Sequence, residues 1–226
     1  MWIILLVCLV VAVSVIAWQL EKKRREKWQV WAESKGWSYN HERNRALAKQ
    51  YSFLDRLQKG ANRYALHCLR GEWQGRAAEA FTFHYETYSS DSKGRRRTHH
   101  HHVGVVLIEI EKSFPELTIG PEGFLSKIAQ AVGYDDIDFE SAEFSKKFLV
   151  RSTDKKFAYD FCHTRMMEYL LQNPQTTLEI EGNVLAVFDG NRLEPEEIEP
   201  YLEHLHAIRE WMPKFLFRET QETANS

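Results

Sequence analysis

The first twenty positions are almost uninterruptedly hydrophobic. "MWIILLVCLVVAVSVIAWQL" carries no charged side chain, and only Ser14 and Gln19 are clearly polar. Twenty helical residues span about 30 Å, the thickness of a bilayer core. Trp2 and Trp18 lie near its ends, where indole rings favour the headgroup layer. The pattern then turns to "EKKRREK". Trp28, Val30, Trp31 and Ala32 predict a helix continuing out of the apolar segment, ended by Lys35-Gly36. Trp37 and Tyr39 alternate with polar residues, as on a short strand. Leu47, Tyr51, Leu54 and Leu57 recur at helical spacing and predict a helix over about residues 44–59, ended by Lys59-Gly60.

From there the pattern reads as β. "RYALHCLRGEWQGRAAEAFTFHYETY" predicts two strands around a turn at Gly71 to Gly75. "SSDSKGRRR" is rich in turn formers, and "THHHHVGVVLIEI" runs back as the second arm of a long hairpin. Phe114-Pro115 predicts a break in that arm, with Leu117 and Ile119 starting another strand. "PEGFLSKIAQAVG" predicts a helix with Phe124, Leu125, Ile128 and Val132 on one face, and "FSKKFLVRS" a strand. "DKKFAYDFCHTRMMEYLLQN" contains a helix ending before Pro174. "TTLEIEGNVLAVFDG" predicts a hairpin turning at Gly182-Asn183. "LEPEEIEPYLEHLHAIREWMPKFLF" closes the chain as an amphipathic helix with a stripe of Ile198, Leu202, Leu205, Ile208, Trp211 and Phe215. The whole predicts an α+β fold: an N-terminal transmembrane helix, then an antiparallel β-rich domain with interspersed helices and a C-terminal capping helix. A pleckstrin-homology-like arrangement is one such form. The expected divisions are an anchor at 1–20, a juxtamembrane helical region at 21–60, a soluble domain at 61–217 and a disordered tail at 218–226.

Charge changes the picture mainly at the anchor. A cleaved signal peptide needs a basic stretch before the apolar run and a small-residue cleavage site after it. Neither is present. The basic residues Lys22, Lys23, Arg24, Arg25 and Lys27 follow the run, which places that flank in the cytoplasm by the positive-inside rule. The expectation is a single-pass protein of the bacterial inner membrane, partnered by the bilayer through residues 1–20, with its soluble domain in the cytoplasm. A lipoprotein reading of Cys8 is weak, because Val7 precedes it. The net charge of −2 gives no nucleic-acid signature. Cys68 and Cys162, the two cysteines outside the apolar run, form no CxxC and read as buried reduced thiols.

Three passages carry a resemblance: "FPELTIGPEG", "DIDFESAEFSKKFLVRSTDKKFAYDFCHTRMMEYLL" and "LEIEGNVLAVF". Together with Gly36, Trp37 and Tyr39 of a GW-x-Y element, and Phe148, Val150, Ser152 and Asp154 of an F-x-V-x-S-x-D strand, they resemble a family of uncharacterised bacterial membrane-anchored proteins. The resemblance covers most of the chain after the apolar segment. It implies location and fold kinship, and no chemistry.

The run His99 to His102 is the candidate for chemistry. A strand alternates faces, so two histidines point each way. If the tip is centred near Ser92 and Lys93, His84 opposes His101 and Glu86 opposes His99. His84, His99 and His101 would then be metal ligands with Glu86 beside them, suited to zinc, nickel or copper. A slip of one residue would send the partners to the other face. The plain alternative is a solvated strand end. Arg95, Arg96 and Arg97 at the tip form a candidate surface for anionic lipid headgroups or a protein partner. The acidic stretch with Asp135, Asp136, Asp138, Glu140 and Glu143 lacks EF-hand spacing. His163 and Glu168 do not make a zincin motif, and His204 and His206 do not share a helix face. No Walker loop, dinucleotide fingerprint, nucleophile elbow or kinase signature occurs. The expectation is a non-enzymatic domain that binds a protein partner or the membrane surface, with a histidine-based metal domain as the alternative.

Overall fold

The computed structural model describes residues 2–91, 94–121 and 137–218, without the side chains of residues 3–5, 10 and 17. The helix expected from Phe124 to Val132 and the tail beyond residue 218 lie outside the described residues, as do Asp135 and Asp136.

Helix α1 (Trp2–Lys35) is continuous from the apolar segment into the domain. Among the described residues no helix is long and apolar enough to cross a membrane. The helix ends where the sequence predicts. Gly36 takes φ +69°, the Trp37 N–H donates to the Ala32 carbonyl at 2.8 Å, and the Gly36 N–H to Glu33 at 3.2 Å. These are the two bonds of a Schellman cap. Its last turns are core: Trp28 is 0 % exposed and Ala32, one turn on, is buried beside it.

Among the described residues, six antiparallel strands form one sheet: β1 (Ser38–Asn40), β2 (Ala61–Trp73), β3 (Arg76–Ser90), β4 (Arg96–Pro121), β5 (Phe148–Ser152) and β6 (Leu178–Asp189). β4 is the spine. β3 and β5 lie end to end along one of its edges, and β6 runs along the other. Period-two alternation splits β3 between two cores. Ala78 and Ala80 face Trp28, Ala32, Val106 and Ile108. Phe81 and Phe83 face Leu47, Leu54, Leu57, Val105 and Leu107. The first core is covered by α1 and by helix α6 (Pro195–Trp211), whose Ile198, Leu202, Leu205 and Ile208 are buried. The second is covered by helix α2 (Arg45–Gln50) and a 3-10 turn over Asp55–Gln58.

Several expected boundaries are corrected. The helix over 44–59 is two pieces, because Glu179 reaches across and accepts the Asp55 backbone N–H, starting a new turn there. β4 is not broken at Phe114-Pro115. It carries extra residues between Glu109 and Leu117, and Pro115, which has no N–H to donate, falls in that irregularity. Gly182-Asn183 is not a hairpin turn. β6 runs through it, and Gly182, at φ +59°, pairs with Phe114 opposite the β4 irregularity. The expected strand from Phe144 starts only at Phe148, because Ser141 caps a short helix α3 (Ala142–Lys147). The next expected helix is divided into α4 (Lys155–Phe161) and α5 (Thr164–Gln172) around Cys162 and His163. Trp211 is 40 % exposed and Phe215 lies past the end of α6 on a 3-10 turn, so the buried stripe stops at Ile208 and Met212.

Candidate metal centre on the histidine hairpin

The hairpin tip closes as an odd-numbered loop. The Asp91 N–H donates to the Arg95 carbonyl at 3.0 Å, the Gly94 N–H to the Asp91 carbonyl at 2.9 Å, and Ser90 pairs with Arg96. The Asp91 carboxylate also accepts the Arg95 N–H at 2.9 Å. This moves the register by one residue from that expected. His84 pairs with His102, Tyr85 with His101, Glu86 with His100, and Thr87 with His99.

The expected ligand set His84, His99 and His101 is therefore corrected. His99 and His101 point to the opposite face from His84. There the His101 Nε2 lies 2.8 Å from the Thr87 hydroxyl with its ring stacked on Tyr85, and the His99 Nε2 lies 2.8 Å from the Ser89 hydroxyl. The same slip brings His100 and His102 beside His84 and Glu86. Each of His84, Glu86 and His100 offers one ligand atom within 4.8 Å of the others.

β2 supplies the support for this cluster. Tyr64 pairs with His84 in the sheet and stacks on its ring at 4.2 Å, and His84 is 2 % exposed. The guanidinium of Arg43 covers the Tyr64 ring at 4.8 Å. Asn62 sits at φ +49° where the β2 register shifts, a left-handed conformation that asparagine tolerates better than most residues. That backbone turns the Asn62 carbonyl to within 3.3 Å of His84 Nδ1, while its side-chain amide donates to Glu86 Oε1 at 2.7 Å. The Tyr88 hydroxyl donates to Glu86 Oε2 at 3.1 Å. His84 Nε2 and His100 Nδ1 are 3.2 Å apart, and His100 Nδ1 is 3.5 Å from Glu86 Oε1. Burial lowers the pKa of His84 and so favours the neutral ring. The Asn62 hydrogen bond holds the Glu86 carboxyl below the usual range and favours the anion. His102 completes the group, but Arg192 reaches its Nε2 at 3.0 Å. Burial, and then that guanidinium, push its pKa down to about 4.

The three arginines at the tip are exposed. Arg95 folds onto the Asp91 carboxylate at 3.0 Å, Arg96 lies 3.6 Å over the Tyr88 ring, and Arg97 pairs with Ser89 in the ladder. Beside the histidines, a cleft of about 460 Å³ is lined by cationic Arg56, Lys59 and Arg192 together with Tyr85, His101 and His102. A larger cavity of about 890 Å³ opens between Thr176, Asp189, Tyr201 and His204, next to Pro121 where the described chain stops. Its titratable groups are hydrogen-bonded. Tyr201 donates to Asp189 at 2.5 Å, and the two His204 nitrogens lie 2.7 Å from the Tyr169 hydroxyl and 2.9 Å from the Thr176 hydroxyl.

Glu86 was within reach of sequence reasoning, and His100 and Asn62 were not. The odd loop decides His100, and the left-handed β2 residue decides Asn62. The nearest sequence signal for the loop is Gly94, at φ +74°.

No family model matches the chain, and no curated protein does. Among solved structures, it is similar to the crystal structure of the mycobacterial trehalose monomycolate transport factor A, TtfA. The TM-score is 0.60 at 14 % identity, covering 83 % of this chain and 95 % of that one. At that identity the likeness concerns the fold.

Proposed function

We propose that this chain is a single-pass protein of the bacterial inner membrane whose cytoplasmic α+β domain is non-enzymatic and binds the membrane surface or a protein partner held there. The observation that carries the reading is the direction of α1 against the hairpin. Lys35 lies over the Trp73 ring at 5.5 Å, at the turn end of β3. Arg24 reaches the Leu193 carbonyl at 3.5 Å, and the Leu193 N–H donates to the Thr82 hydroxyl at 3.2 Å, further along the same strand. α1 thus runs antiparallel to β3, and its apolar half points the way the hairpin tip points. From Thr82 the strand runs on to Ser90, about 27 Å at 3.4 Å per residue. From Arg24 the helix reaches Leu20 in about 6 Å. Along one axis the tip with Arg95, Arg96 and Arg97 would pass Leu20 by about 20 Å, so contact at headgroup depth requires the hairpin to splay from the helix axis. The cationic cleft of Arg56, Lys59 and Arg192 lies on the same end and suits an anionic headgroup.

The resemblance to uncharacterised membrane-anchored proteins belongs to this proposal, and so does the pleckstrin-homology-like comparison, supported only by the helix α6 that caps the sheet. The fold shared with a transport factor makes a transport assembly the first class of protein partner to test. The experiment is cell fractionation with protease protection. The full chain is expected in the membrane fraction and cleavable only after the cytoplasmic face is opened. On vesicles containing phosphatidylglycerol, residues 21–226 should bind, and Arg95→Glu/Arg96→Glu/Arg97→Glu should weaken binding in low salt by several kcal/mol, at about 1 kcal/mol per charge. A chain recovered in the soluble fraction, or cleaved from outside, would refute the reading.

A further inference from the structure

We propose that His84 Nε2, Glu86 Oε1 and His100 Nδ1 form a binding site for one divalent transition-metal ion of the zinc class. The spacing is the first argument. Zinc–nitrogen bonds of 2.0–2.1 Å at tetrahedral angles set ligand atoms about 3.3 Å apart. Two of the three separations match, 3.2 Å from His84 Nε2 to His100 Nδ1 and 3.5 Å from His100 Nδ1 to Glu86 Oε1, and all three residues offer ligand atoms within 4.8 Å of one another.

Orientation is the second argument. A carbonyl oxygen only accepts, so the His84 Nδ1 that faces Asn62 carries the proton, and Nε2 presents its lone pair to the cluster. A ligating histidine with its other nitrogen on a backbone carbonyl is the usual outer support of a metal site. Asn62 also holds Glu86, so one residue positions two ligands. The Tyr64 ring fixes the His84 plane.

The donor set decides the class of ion. Arg43, Arg45 and Arg192 surround the cluster and one carboxylate lies within it: Arg43 covers Tyr64, Arg45 bonds Asn62 at 3.2 Å and Arg192 bonds His102. One carboxylate offers too few oxygens for magnesium or calcium, which want several. Two imidazoles and one carboxylate suit zinc, nickel or copper. The three protein atoms leave a fourth position facing solvent at His100, open to water or to a donor from a partner.

The test uses the full chain in detergent, untagged and purified without metal resin, titrated with Zn²⁺ alone by calorimetry and checked by elemental analysis. Glu86→Gln and His100→Ala are chosen because both positions lie near the surface and leave the Tyr64–His84 stack in place. The double variant His99→Ala/His101→Ala removes the histidines of the other face. The expected result is one Zn²⁺ per chain, affinity lowered at least about tenfold in each site variant, and affinity unchanged in the double variant. Zn²⁺ should also raise the melting temperature of the wild type and the double variant, and not of the site variants. Absence of uptake, wild-type affinity in either site variant, or an equal loss in the double variant overturns the proposal.

Discussion

His67 lies nearly parallel to the Trp28 ring at 5.2 Å and to the Tyr39 ring at 6.1 Å, with the Tyr39 hydroxyl 2.7 Å from its Nδ1. Burial pushes its pKa down to about 4, and burial does the same to His204. A histidine neutral in the fold and basic when unfolded stabilises the fold fully above pH 6.5, its unfolded pKa, and loses that contribution as pH falls towards 4. Thermal melts between pH 7 and pH 4 should therefore show falling stability, and His67→Gln or His204→Gln should make the fall shallower. Glu179 acts in the other direction. It is 0 % exposed, and burial pushes its carboxyl up to about 8. The folded state holds that proton more tightly, so the contribution is full below about pH 4.5 and is lost as pH rises through 8. Glu179→Gln keeps an acceptor for the Asp55 N–H and should flatten the alkaline limb in the same melts. None of this was legible in the sequence, where Glu179 is one polar residue in an alternating strand.

At the scale of elements, two local signals held, and one that depended on a distant strand did not. Lys35-Gly36 ends α1 because its own backbone closes the cap, and Ile198 to Ile208 are buried because one face of one helix is enough to specify them. Gly182-Asn183 has the composition of a tight turn. It stays in strand because the irregularity opposite, in β4, requires the left-handed residue, and that requirement comes from a segment nearly seventy residues earlier. Contact between elements also explains Gly71. A Cβ there would lie 2.3 Å from the Trp37 ring, which is held by its Nε1–H donating to the Glu72 carbonyl at 3.1 Å. Gly71→Ala is expected to cost about 1–3 kcal/mol, read by urea unfolding with tryptophan fluorescence.

For the whole molecule, the useful boundary does not coincide with the edge of the apolar segment. Trp28 and Ala32 belong to the main core, and α1 is tied to α6 by Arg24–Glu194 at 2.8 Å, Lys27–Glu196 at 3.4 Å and Lys35–Glu199 at 2.8 Å. The basic run after the apolar segment is thus partly a docking surface for α6. Residues 21–226 are expected to unfold cooperatively. Residues 37–226, which lack Trp28, are expected to lose at least the roughly 3–5 kcal/mol of a large buried aromatic, measured by denaturant unfolding of both. The histidine cluster shows the limit of reading such a molecule from its sequence: the right face is a matter of one residue of register, and register is settled by a loop whose length the sequence leaves open by one.

The pairing of α1 with α6 also has a consequence in time. Lys27 and Glu196 are 169 residues apart. A ribosome adds about 5–20 residues per second, so roughly ten to thirty seconds separate the synthesis of the two partners. During that interval the Trp28 face of α1 has no α6 to complete the core around it.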